Sequence, residues 1–272
     1  MPEGDTLFRI ATGLRRVLIG ETVREARARP GPLLHRVPDL SILAGLPIRG
    51  VESRGKHLLI AFGTGERRRT LRTHMRMSGS WHRYRPGEPW RLPDRRATVV
   101  LRTDHAVAVC FDCPTVELQT DAGMARSKAL TTLGPDLLGP AFDLRTAVAN
   151  LRERDGSAIG EALLDQHALA GIGNVVRNEV LFMERVNPWS SVGDVPDDQV
   201  ERLVTEAKRV LKAAAGGGAR STTGDSGRGQ RLWVYGRAGR PCRRCGTRIE
   251  VRRQGELGRV THWCPSCQRV AS

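Results

Sequence analysis

Residues 242–267 read CRRCGTRIEVRRQGELGRVTHWCPSC. Two C-x-x-C pairs, Cys242/Cys245 and Cys264/Cys267, stand 18 residues apart, within the spacing of a four-thiolate zinc site. Each pair can present two sulfurs to one tetrahedral ion, and four protein ligands leave no open position, so such a zinc is structural rather than catalytic. A fragment this short buries too little apolar surface to fold alone, and the metal supplies much of its stability. Two redox pairs, or unrelated thiols, form the competing reading. Between the pairs, IEVRR (249–253) and RVTHW (259–263) flank the Gly-containing QGELG (254–258), which predicts a hairpin. Its arginines suit contact with nucleic acid.

Working back from this hairpin, GGGARSTTGDSGRGQ (216–230) is Gly- and Ser-rich with basic residues and reads as a flexible segment. Before it, DDQVERLVTEAKRVLKAAA (197–215) places Val200, Leu203, Val204, Ala207, Val210 and Leu211 on one helical face. NVVRNEVLFMERV (174–186) and EALLDQHALA (161–170) also read as helical, separated by GIG. LGPDLLGP (133–140) has two Gly-Pro steps and reads as a linker.

Upstream the period changes. HLLIAF (57–62), TLRTHMRM (70–77), RATVVLRT (96–103) and HAVAVCF (105–111) are short, partly alternating segments separated by Gly, Pro and Asp, the signal of an antiparallel sandwich or barrel. Residues 3–18 predict a helix through Leu7, Ile10, Ala11, Leu14, Val17 and Leu18. The expected architecture is α+β and multidomain. An N-terminal helix and antiparallel β-sandwich occupy 1–132, a helical domain 133–218, and the flexible segment with the four-cysteine hairpin 219–272. No convincing repeat is present.

Lys+Arg number 44 against 29 Asp+Glu, a net charge of +15. This excess favours a polyanionic partner, nucleic acid first, then an anionic membrane surface or an acidic protein; solubility alone is the plainer reading. No apolar run reaches the ~18 residues of a membrane span, and the acidic start lacks the apolar region of a signal peptide, so a cytoplasmic location is expected. A third pair, Cys110/Cys113 in VCFDCP, ends a predicted strand without a second pair nearby. Structural thiols are expected there, with metal or redox use as the alternative.

PEGDT (2–6), RGKHLL (54–59), MSGSW (77–81), LGPDLL (133–138), LLDQHALAGIGNVVRNEVLF (163–182) and the zinc hairpin occur in that order. Together they resemble the formamidopyrimidine-DNA glycosylase/endonuclease VIII family of base-excision repair enzymes, over nearly the whole chain. PEGDT and the R-N-E after GIGN look more like the endonuclease VIII branch, which mainly removes oxidised pyrimidines; the other branch prefers oxidised purines. The resemblance implies a helix-two-turns-helix fold for the central domain, one structural zinc, and damaged or abasic DNA as partner, bound by a monomer.

It also implies site residues. The nucleophile is the amine of Pro2 after loss of Met1. A free α-amine has a pKa of roughly 7.7–8.0 against ~10.4 for Lys, so a sizeable neutral fraction exists near neutral pH. Attack at C1′ of the damaged nucleotide gives a cationic iminium, which acidifies C2′–H and permits β/δ-elimination of the phosphates. Glu3, tethered beside the amine, is the acid/base that protonates the sugar ring oxygen. Judged alone, Pro2 is a helix-start residue and an efficient site for Met removal, and Glu3 a first-turn acid.

Lys56, Asn174 and Arg259 match the family's phosphate clamp as point charge, neutral donor and forked donor, with Arg177 a further candidate. Read alone they are a solvated Lys, a helix N-cap and a hairpin Arg. Glu179 is expected to orient its helix turn rather than react. The GIG stretch lets backbone N–H groups approach a phosphate. A base in the duplex must be flipped out and its gap filled. Met77, with Arg76 and Ser78, matches the void-filling loop, against a core role for Met77. The oxidised-purine branch has an Arg-Phe pair in an Asp-Pro-Arg-Arg-Phe-Gly stretch. Here the equivalent FDCPTVEL (111–118) has none, which weakens an 8-oxoguanine assignment. A zinc-ribbon DNA-binding protein without catalysis is the competing function; it leaves PEGDT and Lys56 unexplained.

Overall fold

The computed structural model describes residues 2–30, 37–218, 220–225, 227 and 229–269. They form two compact units, Met1–Thr132 and Leu133–Ser272.

The first unit opens with a helix, Gly4–Leu18 (α1). Glu3 holds an extended backbone, and its carbonyl accepts the N–H groups of Thr6 and Leu7. Asp5 sits in the first turn, where a negative charge suits the helix dipole. Leu7, Ala11, Leu14 and Leu18 are buried, with Ile10 and Val17 packed at the border of the same cluster. Eight strands follow: Glu25–Ala28 (β1), Ile48–Arg54 (β2), His57–Phe62 (β3), Arg69–His74 (β4), Ser80–Tyr84 (β5), Ala97–Arg102 (β6), Val107–Phe111 (β7) and Thr115–Gln119 (β8). They build two antiparallel sheets, β1-β6-β7-β5 and β2-β3-β4-β8. Both sheets and α1 contribute to one core, with Leu58, Ile60, Phe62 and Leu71 from one sheet and Val99, Leu101, Ala108 and Cys110 from the other.

Four strands escaped the sequence reading: β1, β2, β5 and β8. All four are sheet edges, where charged residues such as those of EARA, RGVESR and TVELQ protect open hydrogen-bonding groups and blur alternation. The central β6 and β7 read as nearly continuous apolar runs because both faces are covered. Val100, Val109 and Phe111 form a second cluster on the outer face, closed by Trp90 and Leu92. Two short helices, Asp121–Ala125 (α2) and Lys128–Thr131 (α3), end the unit.

The second unit contains Leu144–Arg152 (α4), Ile159–Ala162 (α5), Asn174–Met183 (α6) and Asp197–Ala215 (α7), then the hairpin Glu250–Gln254 (β9) and Arg259–Trp263 (β10). Helix α7 spans the range expected, and its predicted apolar face is buried against Leu151, Leu163, Val176 and Val180. Helix α4 went unread although Leu144, Ala147, Val148 and Leu151 keep helical spacing and the Asp143 carboxylate caps it by accepting the Thr146 N–H. The helix expected over 161–170 is corrected: regular helix ends at Ala162. The Asp165 carboxylate takes the His167 N–H, and the Gln166 side chain bonds Leu164 O, Ile172 O and Gly171 N. Side chains thus replace helical bonds and fold the segment into turns. Helix α6 stops before 186 because Arg185 adopts a left-handed φ of 58°. No described helix is long and apolar enough to cross a membrane.

Candidate functional site

Pro2 is half-buried at the entrance to α1, and Glu3 behind it is fully buried. Met1 lies outside the described residues, so its presence or removal is not addressed by the fold. Burial of an acidic side chain next to the chain start is a costly arrangement that needs polar partners, and Glu3 has them.

Lys56 lies in the β2–β3 turn. Next to it, strand register sets His57 opposite His74, their rings 4.8 Å apart. Buried Arg72 grips the Glu117 carboxylate with Nε (3.1 Å) and Nη2, while its Nη1 lies 2.9 Å from His57 Nδ1. A guanidinium only donates, so His57 is neutral with its proton on Nε2. Burial, then His74, Arg72 and Lys56, hold the His57 pKa down at about 3. Burial, then Lys56, Arg76 and Arg72, hold His74 at about 4. His74 therefore sits as a neutral imidazole among the cations around Lys56. It was missed in the sequence because only strand pairing brings it there.

These shifts carry a pH prediction. Both folded pKa values lie below the unfolded value near 6.5, so the unfolded chain binds more protons as the pH falls. Stability present above pH 6.5 is lost progressively as the pH falls through about 4 for His74 and about 3 for His57. Denaturant midpoints measured across this range should fall with acidification, and His57→Gln should flatten the decline. An unchanged slope contradicts the assignment.

The loop after β4 is a tight turn with an exposed tip. Met75 is buried at its base, and Gly79 N donates to Met75 O at 2.8 Å. A Cβ on Gly79 would lie 2.8 Å from Met75 Cα, so the turn requires glycine. Arg76 has a φ of 45°. Ser78 Oγ donates to Asp112 O at 3.2 Å, and the Asp112 carboxylate is paired with Arg96. Met77 is 63% exposed at the tip, which removes the core reading of this residue. The Cys110 and Cys113 thiols are buried in the sandwich. Cys113 Sγ donates to Thr115 O at 3.3 Å, and burial pushes the Cys110 thiol up. Among the described residues, the metal-competent cluster is the C-terminal cysteine group.

In the second unit, Gly171 has a φ of 106° and turns the chain into α6. Asn174, at the first position of α6, donates from Nδ2 to Val260 O at 2.8 Å. This contact ties the start of α6 to the residue after Arg259, so Asn174 and half-buried Arg259 share one locality. The expected phosphate contact of Arg177 is corrected. Its side chain is wholly enclosed and bonded to Gly160 O, Gln254 Oε1, Val260 O and Thr261 Oγ1, leaving no surface for DNA.

Glu179 is also fully buried. Its carboxylate accepts the N–H groups of Trp233, Val234 and Tyr235 at 2.8–2.9 Å and the Thr222 hydroxyl. Such a carboxylate is an anchor, but for residue 222 and the 233–235 backbone rather than for its own helix turn. It pins the Gly/Ser-rich segment, which is further folded on itself by Ser221 and Thr223 hydroxyl bonds. Ala219, Ser226 and Arg228 of that segment lie outside the described residues.

The sulfurs of Cys242, Cys245, Cys264 and Cys267 all lie within 4.8 Å of one another. Two pairs are 3.4 Å and 4.0 Å apart. A tetrahedron of ~2.3 Å Zn–S bonds has edges of about 3.8 Å, so the donor set fits zinc. Hydrogen bonds from Thr247 hold the Cys245 thiol down at about 6, while burial pushes the Cys264 and Cys267 thiols up, so the case for a metal rests on the sulfur geometry. Phe182, Val234 and Ile249 pack around the site, and the Arg244 guanidinium lies over Phe182.

Three family models match in order. They are the N-terminal domain of formamidopyrimidine-DNA glycosylase over 1–115, its H2TH domain over 133–225, and a zinc finger found in FPG and IleRS over 239–270. A probable endonuclease 8 2 of Streptomyces coelicolor is 42% identical over 98% of this chain and 94% of its own. A DNA-(apurinic or apyrimidinic site) lyase of Mycolicibacterium smegmatis is 40% identical over the full length of both. Proteins named formamidopyrimidine-DNA glycosylase match at 30% and 33%. The Lactococcus lactis Fpg solved with abasic-site DNA superimposes with a TM-score of 0.82 at 24% identity, covering 98% of this chain and 100% of that one.

Proposed function

The chain belongs to the formamidopyrimidine-DNA glycosylase/endonuclease VIII family, on the endonuclease VIII side of it, and we propose that it removes oxidised pyrimidines through a Schiff base on Pro2. It is a DNA glycosylase and AP lyase of base-excision repair. The observation that carries the assignment of chemistry is the fully buried carboxyl of Glu3 directly behind the chain-start proline.

The neutral Pro2 amine, uncovered by loss of Met1, attacks C1′ as the C1′–base bond breaks, and the base leaves with the electron pair and a proton. Glu3 protonates the ring oxygen as the C1′–O4′ bond opens, giving the iminium. Loss of the C2′ proton then expels the 3′ phosphate. A second elimination expels the 5′ phosphate, and water releases the sugar fragment.

Each unit grips DNA with its own donors. Lys56 serves as point charge, aided by the neutral His74 imidazole; Asn174 and Arg259 serve from α6 and the hairpin. Met77, backed by Arg76 and Ser78, fills the vacated step. The absence of an Arg-Phe pair in 111–118 supports pyrimidine over 8-oxoguanine preference. The four thiolates hold one structural zinc, which fixes the hairpin carrying Arg259. The protein works as a monomer in the cytoplasm.

Borohydride tests the chemistry. It reduces an iminium, so protein lacking Met1 should be captured covalently on an abasic duplex. No captured species from active, folded protein overturns the Schiff-base assignment. Parallel cleavage of duplexes bearing thymine glycol, dihydrouracil or 8-oxoguanine ranks the substrates; preference for 8-oxoguanine overturns the pyrimidine assignment.

A further inference from the structure

Strand β10 pairs with β9 along one edge. Its other edge is met by side chains rather than by another strand. Asn174 Nδ2 and Arg177 Nη2 both donate to Val260 O, at 2.8 and 3.2 Å. Arg177 Nη2 also donates to Thr261 Oγ1 at 2.6 Å, and the His262 N–H donates to Asn178 Oδ1. Asn174, Arg177 and Asn178 have the spacing of one helical face. They satisfy successive residues of β10 as a neighbouring strand would.

Arg177 does more than cover an edge. Its Nη1 donates to Gln254 Oε1 at 3.1 Å, and Gln254 is the cross-strand partner of Arg259. The same Gln254 amide donates to Pro188 O at 2.7 Å and accepts from Thr261 Oγ1 at 2.9 Å. One buried guanidinium therefore holds the residue opposite Arg259 and the two residues after it. A long, half-buried Arg on a two-stranded hairpin has little orientation of its own. Here its backbone is fixed to the helix that begins with Asn174.

Resting on the reading of Asn174 and Arg259 as phosphate donors, we propose that Arg177 is a positioning residue that locks α6 to the hairpin and makes those two donors a single preorganised clamp. Arg177 never meets DNA; it acts through the placement of Arg259.

The test is a double-mutant cycle on a duplex containing a tetrahydrofuran abasic-site analogue, using Arg177→Met, Arg259→Ala and the double variant. Zinc content and thermal midpoint are measured alongside. Arg177→Met is expected to weaken binding measurably, by no more than Arg259→Ala does, because it acts only through the placement of that donor. It should also lower the slope of log K against log salt by about 1, as Arg259→Ala does, although the Arg177 charge itself is enclosed. In the Arg259→Ala background, Arg177→Met should add nothing.

If Arg177→Met costs the same with or without Arg259, or leaves the salt slope unchanged, the proposal is overturned. If Arg259→Ala alone leaves affinity and slope intact, the phosphate-donor reading falls and the proposal with it. If Arg177→Met releases zinc, the cycle is run with Thr261→Val, which removes one acceptor from the hairpin side, and is judged by the same criteria.

Discussion

A chain carrying one extra residue ahead of Pro2 will bind abasic DNA, yet it will neither nick it nor be captured on it by borohydride. The reason is electronic rather than steric. Acylating the proline nitrogen turns a basic secondary amine into a tertiary amide, whose lone pair is delocalised into the carbonyl. An amide nitrogen does not add to C1′, and the α-amine of the added residue is displaced by a full residue, roughly 3.8 Å along the chain, from the position Pro2 N holds next to Glu3. Loss of a covalent nucleophile costs on the order of a millionfold in turnover where it has been isolated. Base release and strand nicking should therefore both fall to background. The donors at Lys56, Asn174 and Arg259 are untouched, so affinity for a tetrahydrofuran-containing duplex should stay within about twofold of the processed protein. Retained nicking by the blocked chain would falsify the assignment of Pro2.

Glu3→Gln separates the two halves of the reaction. Gln keeps the shape of the buried side chain but cannot donate a carboxylic proton. That proton is needed while the glycosidic bond is intact, because the ring oxygen must be protonated as the sugar opens. An abasic sugar is already an aldehyde when its ring is open, and the Pro2 amine can condense with it directly. Release of an oxidised pyrimidine should fall by about a hundred- to ten-thousandfold, the usual range for a general acid. Nicking of a pre-formed abasic strand should fall far less. Parallel loss of both, in a variant whose melting matches the parent, would exclude the role given to Glu3.

Much of this was visible before any coordinates. The cysteine spacing, the α7 face and the α1 face each repeat a single local rule over many residues, and local rules are legible in one sequence. The β-domain was recognised through its interior strands, because their apolar runs are dense. Its edge strands were invisible because edge protection replaces alternation with charge. Arg177 shows a harder limit. In NVVRNE it looks like any basic residue near a phosphate-binding turn. Its burial depends on Thr261 and Gln254, far along the chain, and no local signal announces them. His74 was missed for the same reason: its proximity to Lys56 exists only through the β3–β4 register. The break at Asp165 was hidden because EALLDQHALA has good helical propensity, overridden by side chain–backbone bonds.

The carboxylate of Glu179 holds Thr222 on one side and the Trp233–Tyr235 backbone on the other. Both stems of the intervening loop thus meet at one point on a rigid helix. Lengthening such a closed loop costs only about 0.6 kcal/mol per doubling, but its returning limb is also held by Arg243, which donates to the carbonyls of Gly229 and Leu232. Exchange between 223 and 232 is confined to side chains that leave the Gly229 and Leu232 carbonyls in place, because shifting either would disturb Arg243 within the first cysteine pair. Loss of the acid at 179 would release both stems at once.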